Sequence, residues 1–215
     1  MLEKREALIQ FNNVSFKYPG ASKKALDDIN LSINSSEYVV ICGASGSGKS
    51  TLINHMKKTH IPFGEGYGDI LFEGEKIEEA DDLKQAARIG FITQDFDGQN
   101  VTDKVWHEIA FGLENLHMKR EDIHRRVAEI SHYFGLENIF HKRCDELSGG
   151  EKQLVSLASV MAMKPEVLIL DEPTTQLDPV LSKNFLNIVE QIHKEFGVTI
   201  IIAEQRLEKV FSYAD

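Results

Sequence analysis

The chain has 215 residues, of which 42% are hydrophobic and 27% charged. At that length about 70% of the unfolded surface can be buried, and one to two domains of roughly 150 residues fit; 15 Gly, 5 Pro and 2 Cys exclude collagen-like, low-complexity and disulfide-framework classes. The formal net charge of −10, from 24 Lys+Arg against 34 Asp+Glu, disfavours a nucleic acid as partner, because a polyanion is repelled on average.

Residues 8–18 are rich in β-branched and aromatic side chains and read as a strand. Pro19-Gly20 is a turn, and Ala25–Ile33 alternates Leu26, Ile29, Leu31 and Ile33 as a second strand, paired antiparallel with the first. Tyr38–Cys42 is a short buried strand, followed by a Gly-rich loop and a helix from about Lys49 to Lys58. Residues 65–84 hold eight acids and two bases and read as a solvated face. Ile70–Phe72 and Ile89–Ile92 are short strands.

Two helices are expected between Asp103 and Phe134. In the second, Ile123, Val127, Ile130 and Phe134 share one face, and Gly135 closes it. Ser148–Met163 is the next helix, Val167–Leu170 an apolar strand ending in Asp171, and Ser182–Glu195 a helix capped by Gly197. Val198–Ala203 is the last strand. Strand–helix alternation with continuous apolar strands predicts an α/β fold whose parallel sheet is covered on both faces, with an antiparallel β subdomain and a helical insertion over about 95–160.

The apolar runs Tyr38–Cys42 and Ile200–Ala203 fall far short of the roughly 20 residues that cross a bilayer. Charged residues at Glu3–Glu6 interrupt any apolar leader. Cys42 and Cys144 read as buried thiols in a reducing compartment. The eight histidines include no pair at helical metal spacing and read as structural, and Trp106 reads as packing.

Gly43-Ala44-Ser45-Gly46-Ser47-Gly48-Lys49-Ser50 fits G-x-x-x-x-G-K-[ST] between a strand and a helix. Small residues let the backbone wrap a phosphate with its N–H groups turned inward, and the helix N-terminus adds partial positive charge. Lys49 is placed to reach the β- and γ-phosphates, Ser50 to ligate Mg²⁺ and Thr51 to add a hydroxyl at the α-phosphate. The alternative is a chance Gly/Ser loop, which the flanking strand and helix disfavour. Asp171 stands at the C-terminal end of an apolar strand, where open α/β sheets bind ligands, and would hold Mg²⁺ through water. Glu172 is a candidate to orient the attacking water, against the plainer reading of a strand-end acid; Pro173 fixes the turn after it.

Leu147-Ser148-Gly149-Gly150-Glu151-Lys152-Gln153 opens a helix. Ser148 and Glu151 form a capping box. Two glycines at a helix start are unfavourable for the helix and suit a backbone that approaches another phosphate.

Here the sequence resembles the ATP-binding subunits of ABC transporters. Ser148-Gly149-Gly150 looks like their signature, Leu170–Thr174 like their Walker B region, and Leu177-Asp178 like their D-loop. Gln94 falls at the Q-loop glutamine, a Mg²⁺ ligand by that resemblance, and Tyr18 at the adenine-stacking aromatic. Residues Gln94–Asp103 with Glu108 and Ala110–Asn115 resemble the energy-coupling factor subfamily, importers of vitamins and of nickel or cobalt ions.

The resemblance implies an ATPase using ATP and Mg²⁺ at the cytoplasmic face of the membrane. It implies a head-to-tail pair with a second ATP-binding subunit or domain. The phosphate loop of one copy and Ser148–Gly150 of the other would then flank nucleotide, with Asp178 as a further nucleotide-binding residue. It also implies integral membrane coupling and substrate-binding subunits docked near residues 95–115. Three positions depart from the pattern: Gln205 replaces the usual switch histidine, Leu154 an arginine, and Gln176 a small residue. Gln205 predicts slowed hydrolysis. A soluble ABC ATPase outside transport and a weakly hydrolytic switch half are the alternatives. The chain ends ten residues after Gln205, where such domains run further. A C-terminal truncation is therefore expected, with apolar surface exposed around Val210 and Phe211.

Overall fold

The computed structural model describes residues 7–94, 101–205 and 210. Glu3–Glu6, Asp95–Asn100 and Phe211, which enter the expectations above, lie outside the described residues.

Strands β1 (Ile9–Lys17), β2 (Leu26–Ile33), β4 (Glu65–Phe72) and β5 (Glu75–Lys76) form one antiparallel sheet in the order β2-β1-β4-β5. Strands β3 (Tyr38–Cys42), β6 (Ile89–Ile92), β7 (Val167–Asp171) and β8 (Thr199–Glu204) form a parallel sheet in the order β3-β8-β7-β6. Helix α1 (Lys49–Asn54) follows β3, and α2 (Asp82–Arg88) precedes β6. Helices α3 (Val105–Asn115), α4 (Arg120–Tyr133) and α5 (Gly149–Ala162) come between β6 and β7, and α6 (Pro179–Phe196) links β7 to β8.

The alternation along each parallel strand divides the core in two. Leu168, Leu170, Ile200 and Ile202 pack with α3–α6, whereas Val167, Ile169, Ile201 and Ala203 pack with the antiparallel sheet and Ile53 of α1. Because successive strand side chains point to opposite faces, a continuously apolar strand is what two covered faces require. Parallel register then sets the ends of β3, β8 and β7 side by side: Cys42 lies opposite Glu204, and Asp171 opposite Ala203.

Five elements differ from the sequence expectation, one of them the short strand β5 inside the acidic stretch. The strand expected at Ile70–Phe72 begins at Glu65, inside the acidic stretch, and pairs with β1. Its glycines hide it: Gly68 sits at φ +86°, and a Cβ there would lie 2.5 Å from the carbonyl oxygen of Asn13. The acidic stretch also holds α2, capped by Asp81 accepting from the Lys84 N–H at 2.9 Å. Helix α1 stops at Asn54 instead of running to Lys58. Helix α6 starts at Pro179 instead of Ser182, because Asp178 caps it and proline suits the first helical position.

Two burial expectations are corrected, at Cys42 and at Val210. Cys42 is exposed, because β3 ends where the phosphate loop turns outward, while Cys144 is buried. Val210 is wholly buried and belongs to the helix-side core, so it presents no apolar surface. His55 is buried, with Nδ1 2.7 Å from the Thr51 carbonyl.

Candidate functional site

The loop after β3 folds as its small residues dictate. The Ser47 N–H donates to the Ala44 carbonyl at 3.2 Å, and Gly46 and Gly48 adopt φ of +76° and +96°. At Gly48 any side chain would collide with the chain before β2, since a Cβ would stand 2.5 Å from the Ala25 carbonyl oxygen. Gly43, Ser45, Gly46 and Ser47 stay at least partly open to solvent.

Lys49, only 6% exposed, curls back over this loop. Its Nζ donates to the Gly43 and Ala44 carbonyls at 2.9 and 3.2 Å and lies 3.5 Å from Glu172 Oε1. A buried ammonium held by carbonyls at the mouth of a helix is placed to meet an anion.

Ser50 Oγ donates to Asp171 Oδ1 at 3.0 Å, so two hard oxygen donors from distant segments meet. Burial is the main force pushing the Asp171 carboxyl above its usual value, opposed by the Ser50 hydrogen bond and reinforced by the negative charges of Glu172 and Glu204. A hydroxyl beside a carboxylate crowded by other acids is a donor set that fits Mg²⁺, which takes oxygen ligands from one or two such side chains and keeps several waters. No contact joins Gln94, exposed just after β6, to Ser50 or Asp171 among the described residues.

Glu172 follows β7 and is buried to 6% exposure. It sits at φ +46°, a left-handed conformation that a non-glycine residue holds only where its surroundings impose it. Its N–H is tied to the Ala203 carbonyl at 2.8 Å. Gln205 Nε2 donates to both carboxylate oxygens at 2.9 Å each, and Thr175 Oγ1 donates to Oε2 at 3.3 Å. The two residues expected at the reacting centre are thus brought into direct contact.

Tyr18 remains 38% exposed. Its hydroxyl is 3.1 Å from Thr51 Oγ1, and its ring meets Phe16 edge-on at 4.9 Å between centroids. This braces the Tyr18 ring beside the start of α1.

Ser148, Gly149 and Gly150 open α5 with the expected capping box. The Ser148 N–H and hydroxyl each donate to Glu151 Oε2 at 2.8 Å, and the Glu151 N–H donates to Ser148 Oγ at 3.4 Å. A Cβ at Gly149 would meet nothing within 4 Å, so no neighbour in the chain demands glycine there. At Gly150 it would touch Leu181 at 3.4 Å. Asp178 caps α6, accepting from the Val180 and Leu181 N–H groups at 2.9 and 3.0 Å. Leu154, which stands where the family pattern has an arginine, packs against the helix-side core, and Gln176 is exposed on the turn before Asp178.

Sequence reasoning missed two partners of this centre. Glu204, 2% exposed at the end of β8, accepts from the Thr174 N–H at 3.1 Å and from Thr174 Oγ1 at 2.6 Å. Gln153, within the signature helix, donates through Nε2 to the Pro173 carbonyl. The available signal for the first was an acid closing the apolar run Ile200–Ala203.

A phosphate loop on a helix N-terminus, with carboxylates at the C-terminal edge of a parallel sheet, defines a P-loop nucleoside triphosphatase domain. A family profile described as ABC transporter matches residues 26–175. A Bacillus cereus protein named as an ABC transporter ATP-binding protein is 42% identical over 205 residues, 95% of this chain and 37% of its own length. The structure of CbiO1 from Clostridium perfringens, described as part of the ABC transporter complex CbiONQ, is 32% identical with a TM-score of 0.87, over 98% of this chain and 83% of that one. The dimeric structure of MJ0796, a bacterial ABC transporter cassette, is 25% identical with a TM-score of 0.81, over 96% and 91% of the two chains. The chain belongs to the ABC transporter ATP-binding family and is an ABC ATPase domain. It spans 37% of the length of the Bacillus relatives it matches.

Proposed function

We propose that this chain binds MgATP and hydrolyses it as one half of a head-to-tail pair, powering uptake of a small solute through membrane subunits. The observation that carries this reading is the meeting of Lys49, Ser50, Asp171, Glu172 and Gln205 at one end of the parallel sheet.

The loop N–H groups and Lys49 bind the polyphosphate, which takes over from the Gly43 and Ala44 carbonyls as partner of the ammonium. Ser50 and Asp171 would hold a Mg²⁺ ion, which would supply neutralisation of the phosphate charge. Glu172 orients a water for attack on the γ-phosphorus and accepts its proton. One hydrogen of the Gln205 amide holds Glu172; the other is directed to a γ-phosphate oxygen. Tyr18 stacks on the adenine, and Gln94 would be a further oxygen donor to the Mg²⁺. Residues 1–215 act as one nucleotide-binding domain whose helical subdomain occupies about 95–160.

Ser148–Gly150 and Asp178 serve the nucleotide of the opposite half. The open space at Gly149 supports this, since a backbone bare of side chains can approach a phosphate. The pairing is supported by the dimeric description of MJ0796, and docking on membrane subunits by that of CbiO1 as part of a complex. The likeness to CbiO1 also favours an importer of the energy-coupling factor type, taking a vitamin or a transition-metal ion. No described helix is long and apolar enough to cross a membrane, which is consistent with a peripheral site on membrane partners.

A second reading is favoured by Gln205: this half is the slow one of an unequal pair. The longer Bacillus relatives leave room for a second half in one polypeptide. The experiment is phosphate release by the purified protein with MgATP, alongside Glu172→Gln, and co-purification of the tagged protein with membrane subunits. Phosphate release that Glu172→Gln leaves intact defeats the hydrolytic reading; a protein recovered without membrane partners defeats the transport reading.

A further inference from the structure

We infer that Glu204 is a positioning residue of the hydrolytic centre, acting through Gln205 and the turn that carries Glu172; this rests on the roles proposed above for those two residues. The last two residues of β8 and Gln205 directly after them grip the segment after β7. The Ala203 carbonyl accepts the Glu172 N–H at 2.8 Å, Glu204 Oε1 accepts both donors of Thr174, and Gln205 Nε2 donates to the Glu172 carboxylate. The stitch at Glu204 lies between the other two, and it alone reaches beyond Glu172.

Glu204 is an unusual choice for that place. It is 2% exposed, and no salt bridge joins it to a cation among the described residues. It is also close enough to Asp171 for its charge to help push that carboxyl upward. A buried carboxylate beside another acid is costly unless its hydrogen bonds need it. What it satisfies is Thr174, wholly buried, whose N–H and hydroxyl both converge on Oε1.

Thr174 in turn fixes the rest of the turn. Its carbonyl accepts the Leu177 N–H at 3.3 Å and lies 3.5 Å from Ser182 Oγ at the start of α6. One residue earlier, the Pro173 carbonyl accepts from Gln153 of the signature helix. Glu204 therefore joins the strand that aims Gln205 to the segment that bears Glu172, Asp178 and a tie to α5. Without it, Gln205 and Glu172 stay present but lose their mutual register. A misplacement of about 1 Å at a reacting centre costs on the order of 10²-fold in rate.

The test is steady-state ATP hydrolysis by the purified protein, with nucleotide affinity followed by a fluorescent ATP analogue. Glu204→Ala is expected to lower kcat by about 10- to 100-fold while KM and nucleotide affinity hold. Glu204→Gln, which keeps an acceptor oxygen for Thr174, is expected to restore most of the rate. In a Gln205→Ala background, Glu204→Ala is expected to add little, because the pair acts as one unit. A merely structural residue would instead lower kcat, affinity and the melting midpoint together, with effects that multiply across backgrounds.

A wild-type kcat in Glu204→Ala, multiplying effects, or a Glu204→Gln variant as slow as Glu204→Ala each overturns the inference. If Glu204→Ala does not fold, Thr174→Val, which removes one donor at nearly constant volume, is judged by the same criteria. Phosphate release that survives Glu172→Gln refutes the proposed role of Glu172 itself. That outcome is distinct from any failure at Glu204.

Discussion

The side-chain nitrogen of Gln205 donates to both carboxylate oxygens of Glu172, at 2.9 Å each, across 33 residues of sequence. An amide can hold the carboxylate in place and still offer a second hydrogen to a phosphate, but it carries neither charge nor a transferable proton. Loss of one transition-state donor costs about 10²–10³ in rate, and replacement by a weaker donor costs less. Gln205→His is therefore expected to raise phosphate release, by up to about tenfold on that scale. A rate that does not change on this substitution counts against a switch role for residue 205.

Glu172→Gln keeps the shape of the side chain and removes its basicity. Loss of a positioned general base costs typically about 10²–10⁴-fold. Phosphate release is expected to fall into that range while ATP is still bound, as measured by equilibrium binding of a labelled nucleotide.

Lys49 and Asp171 separate binding from metal dependence. Lys49→Ala removes a charge-assisted contact worth about 1.5–3 kcal/mol, so ATP affinity is expected to fall roughly 10- to 100-fold. Asp171→Asn weakens one arm of the oxygen pair formed with Ser50. The Mg²⁺ concentration giving half-maximal hydrolysis is expected to rise, read from a metal titration at saturating ATP.

Gly48→Ala tests the backbone of the phosphate loop. The residue sits at φ +96°, and its new Cβ would lie 2.5 Å from the backbone oxygen of Ala25. Strain in that conformation costs about 1–3 kcal/mol before the collision is counted. A lower urea midpoint and weaker ATP binding are both expected. An unchanged midpoint would mean that the loop relaxes freely.

His60 gives a pH dependence. Its ring stacks on Phe91 at 4.3 Å, and burial, with Lys57 nearby, lowers its pKa from 6.5 to about 4. The folded state then resists protonation more than the unfolded chain does. The associated stability is fully present above pH 6.5 and is lost as the pH falls towards about 4. His60→Phe is expected to flatten that part of the acid unfolding curve, followed by circular dichroism. An acid limb identical to wild type would refute the assignment.

The glycine-rich phosphate loop, the apolar strands and the capped signature helix were legible in the sequence because each rests on short-range rules. The phosphate loop needs small residues between a strand and a helix; the strands Val167–Asp171 and Thr199–Glu204 need apolar side chains on both faces. Strand β4 was legible only at its end, because Gly66 and Gly68 replace the side chains whose alternation would have marked it. The acidic stretch masked α2 in the same way, although Asp81 was available as its cap.

By itself the sequence determined that a phosphate loop, a strand-end carboxylate pair and a signature turn exist on one α/β chain. Only the tertiary structure decided which of them touch. Parallel pairing sets Cys42 beside Glu204 and Asp171 beside Ala203, and from that register follow the Ser50–Asp171, Gln205–Glu172 and Glu204–Thr174 contacts. It also decided that Cys42 is open and Val210 buried. Local patterns specify which residues form a strand. Which strand ends lie side by side depends on how the apolar faces of distant segments pack into one core.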